Sequence, residues 1–194
     1  MRHRTILMLC VAVLAALGGP GGAGAGEATE QLRADIDDLY RSVSAASAPS
    51  AAEAAGARVI VDRMFDWTAM AEASLRAHWQ RRTPGERAEF TRLFSDLFAR
   101  AYVSRINLVD ARAFQYLGDA TAGERGKVRT KVVTKRGSTL DVDYVVHVTP
   151  ARRWQVQDVQ VESISLIDNY RAQFDSIISR SSYEELVKRL TARR

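Results

Sequence analysis

The sequence predicts a single α+β domain in which a curved antiparallel sheet of about four strands packs against several helices and encloses an apolar cavity. Three observations predict this fold. Apolar residues recur at helical spacing through the first half, alternate with polar residues in the third quarter, and return to helical spacing at the end. Hydrophobic residues make up 46% and charged residues 26% of the 194 residues, which excludes a largely disordered chain.

Residues 1–25 are typical of a cleavable secretory signal peptide. Arg2 and Arg4 are followed by an apolar run over residues 6–17 that is too short to span a bilayer. The segment Ala23-Gly24-Ala25 fits the small-x-small cleavage pattern, so we expect a mature domain of residues 26–194 in the periplasm.

The composition of the mature domain narrows the classes of function. The single cysteine, Cys10, lies in the signal peptide, so residues 26–194 have no disulfide to support their core. The whole chain has 28 Lys and Arg against 23 Asp and Glu, an excess too small to indicate a nucleic-acid partner.

Four helices are predicted before the sheet. They cover Glu27 to Ser47, a segment capped by Ser50 and Glu53 that reaches Phe65, Thr68 to Ala77, and a long helix to Asn107. Thr83 and Glu86 form a capping box around Pro84 for the long helix. An apolar stripe follows on that helix: Phe90, Leu93, Phe94, Leu97, Phe98, Ala101 and Tyr102.

The predicted strands are Phe114–Leu117, Lys127–Thr134, Ser138–Val148 and Arg153–Val161. A three-residue loop, Lys135-Arg136-Gly137, pairs Thr134 with Ser138 and therefore sets the register of the central hairpin. The apolar phase of the fourth strand slips near Gln157-Asp158, which predicts a β-bulge. Two helices close the chain, Leu166 to Ser179 and a last one capped by Ser181 or Ser182 with Glu184 or Glu185.

Catalytic signals are weak. The sequence has no G-x-S-x-G, H-E-x-x-H or glycine-rich phosphate loop, and two mature histidines without cysteine do not favour a zinc site. His147 is expected on the polar face of its strand as a surface residue. Asp62 and Asp66 lie one helical turn apart, a spacing that could support acid–base chemistry, although a solvated helix end is the simpler interpretation.

A basic patch is expected on the polar face of the sheet. Lys127, Arg129 and Lys131 share that face with Asp141 and Asp143, and the register places Lys131 opposite Asp141 and Arg129 opposite Asp143. Opposite charges on neighbouring strands neutralise one another in part. We interpret the patch as a solvated face or a docking surface for an acidic partner.

Two long blocks of sequence resemble the MlaC family, also called toluene-tolerance auxiliary components. The first runs from Phe65-Asp66-Trp67-Thr68 through His78-Trp79 to Tyr102. The second runs from Asp143-Tyr144 through Trp154-Gln155-Val156-Gln157-Asp158-Val159 and Asn169-Tyr170-Arg171 to Ser182-Tyr183-Glu184-Glu185-Leu186. The resemblance implies a non-catalytic carrier that takes phospholipid across the periplasm between an outer-membrane lipoprotein complex and an inner-membrane ABC transporter.

The resemblance, together with the apolar faces, leads to a predicted lining for the acyl tails. No metal or other cofactor is expected, because the lipid is cargo. The ten expected lining residues are Phe94, Leu97, Phe98, Tyr102, Val132, Val142, Tyr144, Val146, Trp154 and Val156.

Two alternatives stay open at this point. The first is a small cone-shaped enzyme of the ketosteroid-isomerase type, for which Asp158 beside the bulge is the candidate base. The second is an adaptor with a filled core and no cavity.

Overall fold

The computed structural model describes residues 26–43, 51–106, 109–134 and 137–192. The expected signal peptide, residues 1–25, and residues 135–136 of the hairpin loop lie outside these ranges.

Within the described residues, the fold has six α-helices and one sheet. The order of elements follows the prediction, but the third helix ends two residues early and continues as a 3-10 turn over Arg76–Arg81. The helices are α1 Glu27–Val43, α2 Ala51–Met64, α3 Trp67–Leu75, α4 Pro84–Ile106, α5 Leu166–Arg180 and α6 Tyr183–Ala192.

Among the described residues, the sheet has five antiparallel strands in sequence order rather than about four. The first strand is much longer than the predicted Phe114–Leu117. Two irregularities in its pairing with the second strand interrupt its alternation, so the sequence pattern did not show its full length. The added strand has only two residues. The strands are β1 Val109–Ala122, β2 Arg125–Thr134, β3 Thr139–Val148, β4 Trp154–Val161 and β5 Ile164–Ser165.

The predicted register of the β2–β3 hairpin is confirmed. Val132 lies opposite Leu140, Thr130 opposite Val142 and Val128 opposite Tyr144, while Lys131 faces Asp141 and Arg129 faces Asp143. Thr134 N donates to Ser138 O, and Gly137 N donates to Thr134 O, each over 2.8 Å. Gly137 has a φ of +83°, a conformation that glycine adopts without steric cost.

The predicted bulge is also confirmed. Val145 lies opposite Asp158 and Val146 lies opposite Val156, so Gln157 is the extra residue. The bulge bends β4 and turns both Val156 and Val159 toward the buried side. The segment between α2 and α3, far earlier in the chain, lies beside the bulge: Phe65 pairs in parallel with Val156, and Asp66 N donates to Val156 O over 3.0 Å.

The long helix α4 begins at the predicted capping box. The Glu86 carboxylate accepts from Thr83 N over 2.7 Å, and Glu86 N donates to Thr83 Oγ1 over 3.3 Å. Phe90, Leu93, Phe94 and Phe98 on α4 are fully buried against the rest of the core. The apolar stripe of α4 therefore belongs to the main hydrophobic core.

Helix α1 is attached to the rest of the domain by polar contacts as well as by its apolar face. The buried Asp35 carboxylate accepts from Arg63 Nε of α2 over 2.8 Å, and it also accepts from Arg153, which precedes β4. The Gln31 side-chain amide donates to Trp154 O and accepts from Trp154 N, as a neighbouring strand would. We call these residues the α1 clamp.

Candidate functional site

A row of aromatic rings joins α4 to α5. On α4, Phe94 meets Phe98 and Phe98 stacks on Tyr102 at 6.4 Å between ring centroids. On α5, Tyr170 meets Phe94 edge-on at 5.6 Å and stacks on Phe174. The backbones of the two helices scarcely approach one another, so these rings fill the space between them. We call this interface the aromatic seam.

An apolar cleft opens along the aromatic seam. Its volume is about 260 Å³, and none of its lining side chains carries a charge. Asn169 and Gln173 supply the polar atoms, and the other walls are aliphatic or aromatic. The lining residues are Leu97, Phe98, Ala101, Tyr102, Leu166, Asn169, Tyr170 and Gln173.

Tyr102 connects the cleft to the face of the sheet. Its hydroxyl lies 3.2 Å from that of Tyr144 on β3, so the two phenols share a hydrogen bond inside the core. Burial raises the pKa of Tyr102 well above its usual range and raises the pKa of Tyr144 to about 12. Both groups are therefore neutral near pH 7, and this side of the site stays uncharged.

The ten residues expected to line the cavity divide into two groups. Three of them, Leu97, Phe98 and Tyr102, line the cleft. The others lie in the core behind it or beside it, where all are buried except Val142, which is half-buried. These others are Phe94, Val132, Val142, Tyr144, Val146, Trp154 and Val156.

The sequence reasoning missed the wall that α5 provides. Leu166, Tyr170 and Phe174 recur every four residues and so share one face of α5, a signal that was available. It also missed Phe65, which packs on Phe98 and Tyr102 at 5.3 and 5.1 Å. Phe65 directly follows α2, and the fold rather than the sequence shows which rings it meets.

The candidate base of the enzyme alternative has another role. Asp158 Oδ1 accepts from Ile167 N over 3.1 Å at the start of α5, where a carboxylate is favoured by the helix dipole. It lies opposite Val145, on the face of β3 away from Tyr144. The expected acid on an inward strand position is therefore not at Asp158.

The other titratable candidates also differ from expectation. His147 is not a lone surface residue: its Nε2 lies 2.9 Å from Asp66 Oδ2, and both side chains are about one-fifth exposed. Asp66 Oδ1 caps α3 by accepting from Ala69 N. Asp62 accepts from Arg58 Nε and from Trp67 Nε1, so the two aspartates serve separate contacts rather than one site.

The basic patch on the sheet is partly neutralised. Lys131 Nζ contacts Asp141 Oδ1 at 2.6 Å, as the register predicted. Lys127 Nζ binds Gln160 Oε1 at 2.7 Å and lies 3.5 Å from Asp143 Oδ2, so Asp143 is approached diagonally by Lys127. The side chain of Arg129 is exposed.

In the part of the chain described above, no group of three or more His, Cys, Asp or Glu side chains is arranged to hold a metal ion. In the same residues, no helix combines the length and apolar character needed to cross a bilayer.

Both the sequence and the fold are similar to those of known proteins. The model of the MlaC protein family matches residues 33–192. A solved structure of a phospholipid-binding protein from Ralstonia solanacearum, in complex with a phospholipid, superposes with a TM-score of 0.69 at 21% sequence identity. The alignment covers 87% of this chain and 97% of that one. Among curated proteins, none is similar enough to count as a match.

Proposed function

The chain belongs to the MlaC family, and we propose that it is a periplasmic phospholipid-binding protein that shuttles lipid between an outer-membrane lipoprotein complex and an inner-membrane ABC transporter. Residues 1–25 would direct export, and residues 26–194 would form the carrier. The protein would act by binding and release, without catalysis and without a resident cofactor.

The observation that carries this proposal is the uncharged cleft along the aromatic seam. Two acyl tails present about 30 methylenes, whose exposure to water costs on the order of 20 kcal/mol. A carrier must therefore offer a continuous apolar surface, and a single charge facing the tails would oppose binding. The cleft leads from Leu97 and Tyr170 to the fully buried Phe98 and to Tyr102 without meeting a charged group.

The tails need more room than the cleft provides. Pockets for drug-sized molecules span roughly 300–1,000 Å³, and a diacyl lipid is larger than such molecules, whereas the cleft measures about 260 Å³. We infer that α5 moves away from α4 and that the tails replace the ring contacts of the seam. Ring contacts of this kind contribute only about 0.5–1.5 kcal/mol each beyond area burial, so the tails can replace them at modest cost.

The headgroup would stay at the mouth of the cleft. Asn169 and Gln173 lie one turn apart on α5, and Gln173 Nε2 donates to Asn169 Oδ1 over 2.6 Å. Neutral amides offer hydrogen bonds to phosphate or ester oxygens without demanding a particular headgroup charge. The phospholipid in the Ralstonia solanacearum structure supports the same class of ligand for this fold.

The decisive experiment is native mass spectrometry of the exported protein, followed by uptake of fluorescent phospholipid by the delipidated protein. We expect about one diacyl phospholipid per chain. Apoprotein in the spectrum, together with no uptake by the delipidated protein, would refute the proposal.

A matched pair of variants locates the site. Ala101→Trp places an indole in the cleft and should lower lipid uptake at least tenfold. Ala88→Trp lies on the same helix but in a separate open groove with Trp79, Arg87 and Thr91, so uptake should be unchanged. Equal uptake by both variants would mean that the tails bind elsewhere.

A further inference from the structure

The start of α1 is capped by a carboxylate from a distant strand. Gly26 O accepts the first helical hydrogen bond, from Glu30 N over 3.0 Å, so Gly26 is the residue that opens the helix. Gly26 N donates to Asp119 Oδ1 of β1 over 2.9 Å. The Thr29 hydroxyl, in the first turn, donates to the same oxygen. Asp119 thus does from β1 what the N3 carboxylate of a capping box does locally, because it accepts from the backbone nitrogen of the N-cap residue.

The fit between Gly26 and Asp119 is close. A Cβ at position 26 would lie 2.4 Å from Asp119 Oδ2 and 2.5 Å from Oδ1, nearer than real Cβ atoms approach other atoms. Any side chain at position 26 would therefore displace the carboxylate. Only glycine lets the backbone nitrogen reach this oxygen as the structure shows.

The cleavage pattern Ala23-Gly24-Ala25 ends at the residue before Gly26. We infer that cleavage after Ala25 makes Gly26 the N-terminus of the mature protein and that its new α-ammonium forms an ion pair with Asp119. Hydrolysis of the Ala25–Gly26 bond adds the hydroxyl of water to the Ala25 carbonyl carbon and its hydrogen to Gly26 N. The amine then takes up a proton from solvent near pH 7.

The positive charge of the new N-terminus at Gly26 makes a carboxylate beside it necessary for the stability of α1. A positive group at the N-terminus of a helix is opposed by the helix dipole, so a free ammonium at Gly26 would weaken α1 if it stood alone. Asp119 reverses that effect, because a hydrogen bond between charged partners is roughly twice as strong as one between neutral partners. Cleavage therefore strengthens the hold of the sheet on α1, and the precursor, in which Gly26 N is a neutral amide, lacks this contribution.

The ion pair depends on export and cleavage but not on lipid binding. This inference and the proposed function can therefore fail separately. The first test is the intact mass of the protein recovered after export. We expect the mass of residues 26–194. A mature chain that starts at any other residue would overturn the inference, whatever lipid it carries.

The second test is a double-mutant cycle on unfolding in urea. One parent chain begins at Gly26 and the other at Ala25, both prepared by scarless removal of an N-terminal fusion. Asp119→Asn should lower the folding equilibrium constant roughly five- to tenfold more in the chain that begins at Gly26. An equal effect in both chains would overturn the ion pair.

Thr29→Val is the matched control. It removes the other donor to Asp119 and leaves the N-terminus intact, so it should lower the folding constant equally in both parent chains. If Thr29→Val instead lowered the folding constant more in the chain that begins at Gly26, the difference seen with Asp119→Asn would reflect general loosening of the start of α1. That result would also overturn the ion pair.

Discussion

The α1 clamp and the aromatic seam both join a helix to the rest of the domain, but by different chemistry. The clamp fixes α1 through directed contacts: Asp35 to two arginines and Gln31 to the backbone of Trp154. The seam joins α5 to α4 through rings such as Tyr170 and Phe94, with an uncharged cleft between them.

The difference suggests a division of labour. Directed polar contacts lose most of their strength when partners shift by an ångström, because hydrogen bonds weaken steeply with geometry. Ring and aliphatic contacts are nearly non-directional, and an acyl chain can replace them with similar burial. We therefore expect the clamp to set stability and the seam to set lipid binding.

Helix α5 also keeps polar contacts to the α3 side, where Arg171 Nε donates to Ala73 O over 2.9 Å. The proposed movement of α5 would therefore pivot on α3.

The largest effect should come from tying the seam shut. Residues 26–194 contain no cysteine, so Ala101→Cys and Asn169→Cys, one on each side of the cleft, can be joined by a short bismaleimide. We expect lipid uptake to fall at least tenfold while the free energy of unfolding is unchanged or higher. The control is the same double-cysteine protein joined by a long, flexible bismaleimide, which adds the same groups to the cleft but lets α4 and α5 separate. Full uptake by the protein with the short crosslink would show that α4 and α5 need not separate.

The second-largest effect should come from breaking the α1 clamp. Asp35→Ala removes a buried carboxylate that accepts from two guanidinium groups, which should lower the free energy of unfolding by about 2–3 kcal/mol. Asp38→Ala, also on α1 and also bound to Arg63 but more exposed, should cost less than about 1 kcal/mol. Lipid bound per folded molecule should match wild type in both. If Asp35→Ala bound less lipid per folded molecule than wild type, the clamp would also affect lipid binding, contrary to this division.

The phenols where the seam meets the sheet give a smaller, pH-dependent effect. Burial raises the pKa of Tyr144 from 10 to about 12, so its stabilising contribution is complete below pH 10 and is lost as the pH rises toward 12. Because the shift is only partly expressed at pH 11.5, we expect a loss of about 2 kcal/mol between pH 9 and pH 11.5. Urea unfolding at about pH 9 and pH 11.5 should show a steeper loss in wild type than in Tyr144→Phe. Identical slopes would mean that Tyr144 is solvated.

The smallest effect concerns docking on the polar face of the sheet. Reversing Arg129 and Lys131 to glutamate should slow lipid transfer between donor and acceptor complexes a few-fold without emptying the site, because these charges are exposed and screened by salt. Reversing Lys188 and Arg189 on α6 changes the net charge equally and is the control. Equal slowing by both variants would point to net charge rather than to a docking face.

The sequence predicted best what repeats or turns locally. The Gly137 loop and the alternation of Val142 and Tyr144 were enough to fix the β2–β3 register, and a phase slip located the bulge at Gln157. Helical spacing identified the stripe on α4. It did not say which element covers each part of a stripe, so the wall that α5 adds to the cleft was missed.

Pairs that are distant along the chain were outside the reach of pattern reasoning. Asp35 and Arg153 are 118 residues apart, and Asp66 and His147 meet from separate elements. A charge on a helix face has the same sequence signature whether it is solvated or bound to a partner from another strand. Only the three-dimensional fold distinguishes a surface histidine from one held against a carboxylate.

The backbone contact between the α2–α3 junction and β4 also bears on self-association. Among the described strands, β5 covers β4 only at Gln160 and Val161, which leaves the first half of β4 as an open edge. Phe65 and Asp66 lie against that edge and occupy the carbonyl of Val156. Open, apolar edges recruit strands from other molecules and begin aggregation. If α5 parts from α4 to admit lipid, as we propose, this vulnerable strand stays covered by the protein's own chain.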